Sequence, residues 1–265
     1  MRIIRQALVL GLVVSSGCVD PEPDPGVPPP DCTSERTVPV TVTGTVIDFS
    51  TKAPVAGASV DLTSAWDGNA GFPGPKACPV LATVETRADG KFGPVTIDLG
   101  ADDEENFVLF LVDGSDRAPT ASDNRICTAA TCTLDHTIAA PSVAVAEGWR
   151  AELAAGGMED ADTRGLIAFE FREPAGTPAE RVVAEYFTDK IEALTPGAMV
   201  RYVNPDRASL AAASTPSTTA SGLALVGAPG LGGTFIGGHR DAVGWQLTGC
   251  LMEPGWIFLE DRRIQ

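Results

Sequence analysis

Val38, Val40, Val42 and Val46 share one parity and alternate with Thr41, Thr43 and Thr45. Apolar residues at every second position mark a strand with one face buried and the other wet. A turn containing Lys52, Ala53 and Pro54 follows. A second strand starts near Ala58, where Val60 and Leu62 alternate with Ser59 and Asp61. The parity switches at Ile47 and Phe49, which predicts a bulge or an edge at which both faces become covered. A weaker copy opens at Gly165, where Ile167, Phe169 and Phe171 alternate with Ala168, Glu170 and Arg172. The length of 265 residues and a 44% hydrophobic content suit two ordinary domains with cores of their own. The fold class expected is all-β, with two small Ig-like or transthyretin-like Greek-key sandwiches in tandem.

The first sandwich is expected over residues 32–141. Residues 83–87 and 91–99 flank Ala88-Asp89-Gly90, and Asp-Gly is a hairpin signal. Residues 107–112 (FVLFLV) are apolar throughout and predict a central strand covered on both faces. Residues 133–138 close the sheet. Residues 142–163 are read as a helix and hinge. The helix spans 144–155, with Trp149 and Leu153 on one face and Gly156-Gly157 as its stop, and acidic residues 158–163 follow. A second, divergent sandwich is expected over 164–265. Pro178 and Val182-Val183 echo the first turn and second strand, residues 244–251 and 256–260 read as closing strands, and 208–221 read as a mobile loop.

Gly44-x-Val46-x-Asp48, Pro54-x-x-Gly57-Ala58-x-Val60 and Thr86-x-x-Asp89-Gly90-x-Phe92 resemble the carboxypeptidase regulatory-like domain family over most of residues 38–113. The resemblance implies a seven-stranded transthyretin-like sandwich. Its motifs are turn and core positions, so they speak to fold and hardly to function. In the second copy Thr219-x-x-Gly222-x-Ala224 matches the third motif without the Asp, and Glu180 stands in the region of the family's turn glycine.

The first 18 residues read as a leader. Arg2 and Arg5 precede the apolar run 7–14, which is too short to span a bilayer, and Ser15-Ser16-Gly17-Cys18 follows. VVSSGC resembles a bacterial lipobox, with Ser15 where Leu is usual and Cys18 as the lipidated residue. Residues 19–31 (VDPEPDPGVPPPD) then form a proline- and acid-rich tether. At about 3.1 Å per residue in polyproline II, it would lift the body tens of ångströms off a membrane. These segments point to a lipid-anchored protein of the bacterial envelope, on either face. A formal charge of −16 argues against phosphate backbones, so nucleic acid is not an expected partner.

Little else carries chemistry. The two histidines, His136 and His239, begin no zinc motif, no GxSxG elbow is present, and the glycines of 227–238 miss the GxGxxG spacing. No catalytic residue, metal site or cofactor is expected, and the acids at 102–105 and 159–162 read as solvated clusters. The loop 66–76 places Trp66 and Phe72 among Gly and Pro, which suits a platform for a sugar or peptide. Five cysteines remain after Cys18, and outside the cytoplasm these should largely pair. Cys127 with Cys132 is the first candidate and Cys32 with Cys78 the second, which leaves Cys250 reduced. The function expected is a non-catalytic interaction or structural module that meets other envelope proteins or surface glycans. The alternative is a carbohydrate- or peptide-binding accessory protein using the Trp66 loop.

Overall fold

The structure is a computed structural model that describes residues 37–64, 80–100, 107–114, 116–122, 125–126, 132–161, 165–188, 199–227, 234–241, 243–250 and 255–263. The first half carries β1 (Thr37–Asp48), β2 (Ser59–Ser64), β3 (Val80–Glu85), β4 (Lys91–Gly100), β5 (Phe107–Gly114), β6 (Arg117–Ser122), β7 (Arg125–Ile126) and β8 (Cys132–Ala140). Helix α1 (Val143–Ala155) follows. The second half carries β9 (Leu166–Arg172), β10 (Val183–Thr188), β11 (Met199–Tyr202), β12 (Leu223–Gly227), β13 (Thr234–Arg240), β14 (Val243–Cys250) and β15 (Ile257–Arg263).

The chain is all-β with one helix, built as two sandwiches of matching plan. In the first, the sheet β4-β1-β8 packs over β3-β2-β5-β6, with β1 antiparallel to β4 and parallel to β8. In the second, β9 lies between β12 and β15 with the same directions, and β10-β13-β14 repeats the antiparallel order β2-β5-β6. The valines of β1 explain its place. Val38, Val40, Val42 and Val46 are buried in the first core, and the predicted bulge falls between Val42 and Gly44, earlier than the parity switch. Strand β5 is covered on both faces as expected. Val108, Phe110 and Val112 enter the first core, while Leu109 and Leu111 join the core of the second half. Full burial of such a side chain is worth about 1.5–3 kcal/mol relative to exposure.

The copies agree in atomic detail. Thr86 Oγ1 donates to Val55 O at 2.7 Å and accepts from Ala58 N–H at 2.9 Å. Thr218 Oγ1 likewise donates to Ala179 O at 2.8 Å and accepts from Val182 N–H at 2.9 Å. Each threonine stands four residues before a glycine whose carbonyl accepts from the first strand: Gly90 from Val46 and Gly222 from Phe171. Both glycines need their missing side chain. Each has positive φ, and a Cβ would lie 2.6 Å from Val46 O at Gly90 and 2.8 Å from Phe171 O at Gly222. The true counterpart of Thr86 is therefore Thr218, one residue before the position the sequence match suggests. The counterpart of Gly57 (φ 72°) is Arg181 (φ 60°), because both backbone N–H groups donate to the carbonyl of the clamping threonine.

Other expectations are corrected. Asp89-Gly90 is a turn, but it does not join a hairpin ladder, since β3 pairs with β2 and β4 pairs with β1 in the opposite sheet. The alternation in β9 predicts one wet face, yet residues 166–171 are all buried because sheet and helix cover both sides. Residues 208–221 are not a loose loop: Leu210, Ala211, Thr218 and Ser221 are buried, and Ser221 Oγ donates to Val203 O at 2.7 Å.

Helix α1 matches its expected bounds. Ser142 caps it by accepting from Val145 N–H at 3.3 Å, and Ala146, Trp149 and Leu153 form its buried stripe. Gly156 and Gly157 end it. The stretch read as a hinge is pinned where it is described, with Met158 and Ala161 buried. The sheet also crosses the expected boundary. Strand β15 lies between β9 and β6, pairing Ile257, Phe258 and Leu259 with Thr120, Ala121 and Ser122, so a nine-stranded sheet runs through both sandwiches.

Candidate functional site

Strand parity explains how a charged cavity forms where the sandwiches meet. Along β9, Ile167, Phe169 and Phe171 enter the second core, so Leu166, Ala168 and Glu170 face the opposite side, toward the helix and the turn after β1. Glu170 is a carboxylate only 7% exposed. Burying it alone would be costly, and it is matched by two guanidinium groups. Arg207 donates to both of its oxygens, at 3.2 and 3.1 Å, and Arg172 Nη2 lies 3.1 Å from Oε2.

Arg207 also joins the two halves. Its Nε donates to Phe49 O at 3.1 Å, its guanidinium carbon lies 4.6 Å from the Phe49 ring centroid, and its own carbonyl accepts from Ser50 Oγ at 3.3 Å. The ring of Phe49 meets Trp149 edge-on at 5.3 Å. Lys52 lies 5.3 Å from the same ring. Lys52 is an exposed residue at the cavity mouth, yet its amine is lowered to about 8, first by partial desolvation and next by the charge of Arg207, with Arg172 adding to this and Glu170 and Asp48 opposing it. Asp48 is itself held below the usual carboxylate range. Burial opposes that shift, and the N–H of Thr51 and the guanidinium of Arg117 outweigh it.

These groups open onto a cavity of about 420 Å³. Its second wall is the edge strand β8, which contributes Asp135 and His136. Asp135 is exposed and accepts from Thr43 Oγ1 at 3.2 Å. His136 is buried against Phe110, ring centroids 4.7 Å apart, and its Nε2 shares a hydrogen bond with Ser122 Oγ. A serine bonded to an imidazole has the parts of an activated nucleophile. Here both side chains are almost wholly buried, Ser122 at 3% exposure, and both stand in the lining of the cavity. The pair reads as a satisfied polar contact between the sheets.

The sequence-nominated residues lie elsewhere. Cys18, Cys32, Trp66, Phe72, Cys78 and Cys127 fall outside the described residues, as do the acids at 102–105. Cys132 opens β8 and is disulfide-bonded. His239 is exposed at the end of β13, in register with Val183 of β10. The cavity residues Lys52, Glu170, Arg172 and Arg207 carry no signal of a site in the sequence. They come from three separate stretches, and Glu170 sits where a half-buried strand would place a solvent-facing residue. Among the described residues no group of acids, histidines and cysteines is arranged to hold a metal ion, and no helix is long and apolar enough to cross a membrane.

No protein-family model matches the chain, and no curated protein matches it. Solved structures do. The TIE protein of Bacillus anthracis shares 8% identity over 86% of this chain and 34% of its own, at a TM-score of 0.26. Chlorocatechol 1,2-dioxygenase of Pseudomonas putida shares 15% over 39% and 61%, at 0.25. The shaft pilin SpaA of Lactobacillus rhamnosus GG shares 13% over 86% and 97%, also at 0.25. The chain thus spans about a third of the first and under two thirds of the second. At these TM-scores the likenesses assign no function.

Proposed function

We propose that this chain is a non-catalytic module of the bacterial envelope, lipid-anchored through Cys18 and serving interaction or architecture. The observation that carries the reading is the fusion of two sandwiches through β15 and β6 into one sheet. A body of this kind holds its shape, and it stands behind a proline-rich spacer and a cysteine placed for acylation. The matching Thr86 and Thr218 clamps support a common plan for the two halves, which extends the resemblance of the first half to the carboxypeptidase regulatory-like family. The alternative reading, a carbohydrate- or peptide-binding accessory protein, would use Trp66 and Phe72 as its contact with a surface glycan or peptide.

Acylation is tested directly. The mature protein should partition into detergent and take up labelled palmitate, and Cys18→Ala should abolish both, because several acyl chains at ~0.8 kcal/mol per buried CH₂ provide the anchorage. A Cys18→Ala protein that stays on the membrane would defeat this reading. The proposed cystine is Cys127–Cys132. Non-reducing peptide mapping should recover these two together, and removing the bridge should cost about 2–3 kcal/mol because it closes a short loop. Recovery of Cys132 joined to Cys32, Cys78 or Cys250 would refute the pairing.

A further inference from the structure

The cavity between the sandwiches is positively charged inside a strongly acidic protein. Lys52, Arg172 and Arg207 converge on it, against one buried carboxylate, Glu170, and one carboxylate at its exposed wall, Asp135. The formal charge of the whole chain is −16. The two guanidinium groups are engaged by Glu170, whereas the Lys52 ammonium has no carboxylate at salt-bridge distance among the described residues. Two of the three cations are also held where a side chain is disfavoured, Lys52 at φ 63° and Arg207 at φ 58°. Backbone strain of this kind costs of order 1–3 kcal/mol per residue, and it gathers at sites where a side chain has a task.

We propose that this cavity binds a small organic monocarboxylate. The three cations of the lining face two carboxylates, Glu170 and Asp135, so one positive charge is left over, which suits a monoanion better than a doubly charged phosphate. The remaining wall includes Ile47, Ala168 and Leu223, which suits a compact apolar body. In the bound state the carboxylate meets the Lys52 ammonium and the partly exposed Ile47, Ala139 and Leu259 back its apolar part. The charged groups around Lys52 are Arg207, Arg172, Glu170 and Asp48, with Asp135 and His136 on the opposite wall. Only the protonated amine attracts the anion. With an amine that titrates near 8, binding is strongest below that pH and weakens by up to about tenfold between pH 7 and pH 9.

The test titrates the full chain with benzoate, its neutral isostere benzamide, and inorganic phosphate, by calorimetry at pH 7 and pH 9. Benzoate should saturate one site, with benzamide and phosphate each at least about tenfold weaker, the scale of one charge contact. Lys52→Gln should weaken benzoate about tenfold at pH 7. Lys52→Arg should bind at pH 7 and lose the fall toward pH 9, since a guanidinium stays charged. Thermal unfolding of both variants confirms that they are folded. The proposal is overturned if benzoate shows no saturable binding, if benzamide or phosphate binds as tightly, or if the pH dependence survives in Lys52→Arg.

Discussion

Arg207→Met should destabilise the protein by about 3–5 kcal/mol in urea unfolding, the range found when one partner of a buried ion pair is removed. The cause is local. Glu170 keeps only Arg172, and Phe49 O loses the N–H donor that ties the turn after β1 to the second sandwich. Glu170→Leu combined with Arg207→Met should recover much of the loss, because a buried pair replaced together leaves no orphan charge. A second readout follows from the charges. Arg207 is the leading electrostatic cause of the low Lys52 titration, so the amine should titrate higher in Arg207→Met, as read by the pH profile of acylation at Lys52. A variant within 1 kcal/mol of the parent would show that the ion pair is not what joins the halves.

Trp149→Ala should cost a similar amount, about 3–5 kcal/mol, by emptying the core beneath the helix. Trp149 is fully buried and packs with Phe49 from the first sandwich and with Leu153, Ile257 and Leu225 in one cluster. Because that cluster draws on both halves, the variant should also split unfolding into two transitions. Trp149→Phe separates packing from polarity. The indole Nε1 has no hydrogen-bond partner among the described residues, and a buried unsatisfied donor costs about 1–3 kcal/mol. The smaller phenyl ring loses volume but removes that donor, so Trp149→Phe should fall within about 1 kcal/mol of the parent. A Phe variant as weak as the Ala variant would show that the indole N–H is satisfied after all.

Strand-level features were legible where one face of a strand alone meets a core. The valines of β1 and the helix around Trp149 show this, and the unbroken apolar run of β5 shows its two-sided counterpart. Pairing across sheets was not legible. A turn such as Asp89-Gly90 fixes how the chain reverses and is silent on which sheet receives the next strand. The cavity was hidden for a related reason. Glu170 has the parity of a wet residue, and only the docking of the β1 turn and α1 makes that face an interior one. Arg207 adjoins a stretch rich in Ala, Ser and Thr, whose order comes from side-chain hydroxyls bonded to distant carbonyls such as Val203 O. The repeat was half visible. Its glycine at 222 stands out in the sequence, but which threonine precedes it does not, because neighbouring Thr218 and Thr219 cannot be told apart without the bonds they make.

The place of β15 sets an order of events during synthesis. Its partner on one side, β6, is made early, and Ser122 is complete long before Leu259 exists. Until the late strand arrives, the β6 edge of the first sandwich offers unpaired backbone groups to any passing strand. A chain still incomplete would meet other nascent chains in that interval. The closing strand therefore ends the period of exposure for both halves at once. A mutation that slows the docking of β15 is expected to appear first as aggregation and lower yield of folded protein, before any loss of stability in what has folded.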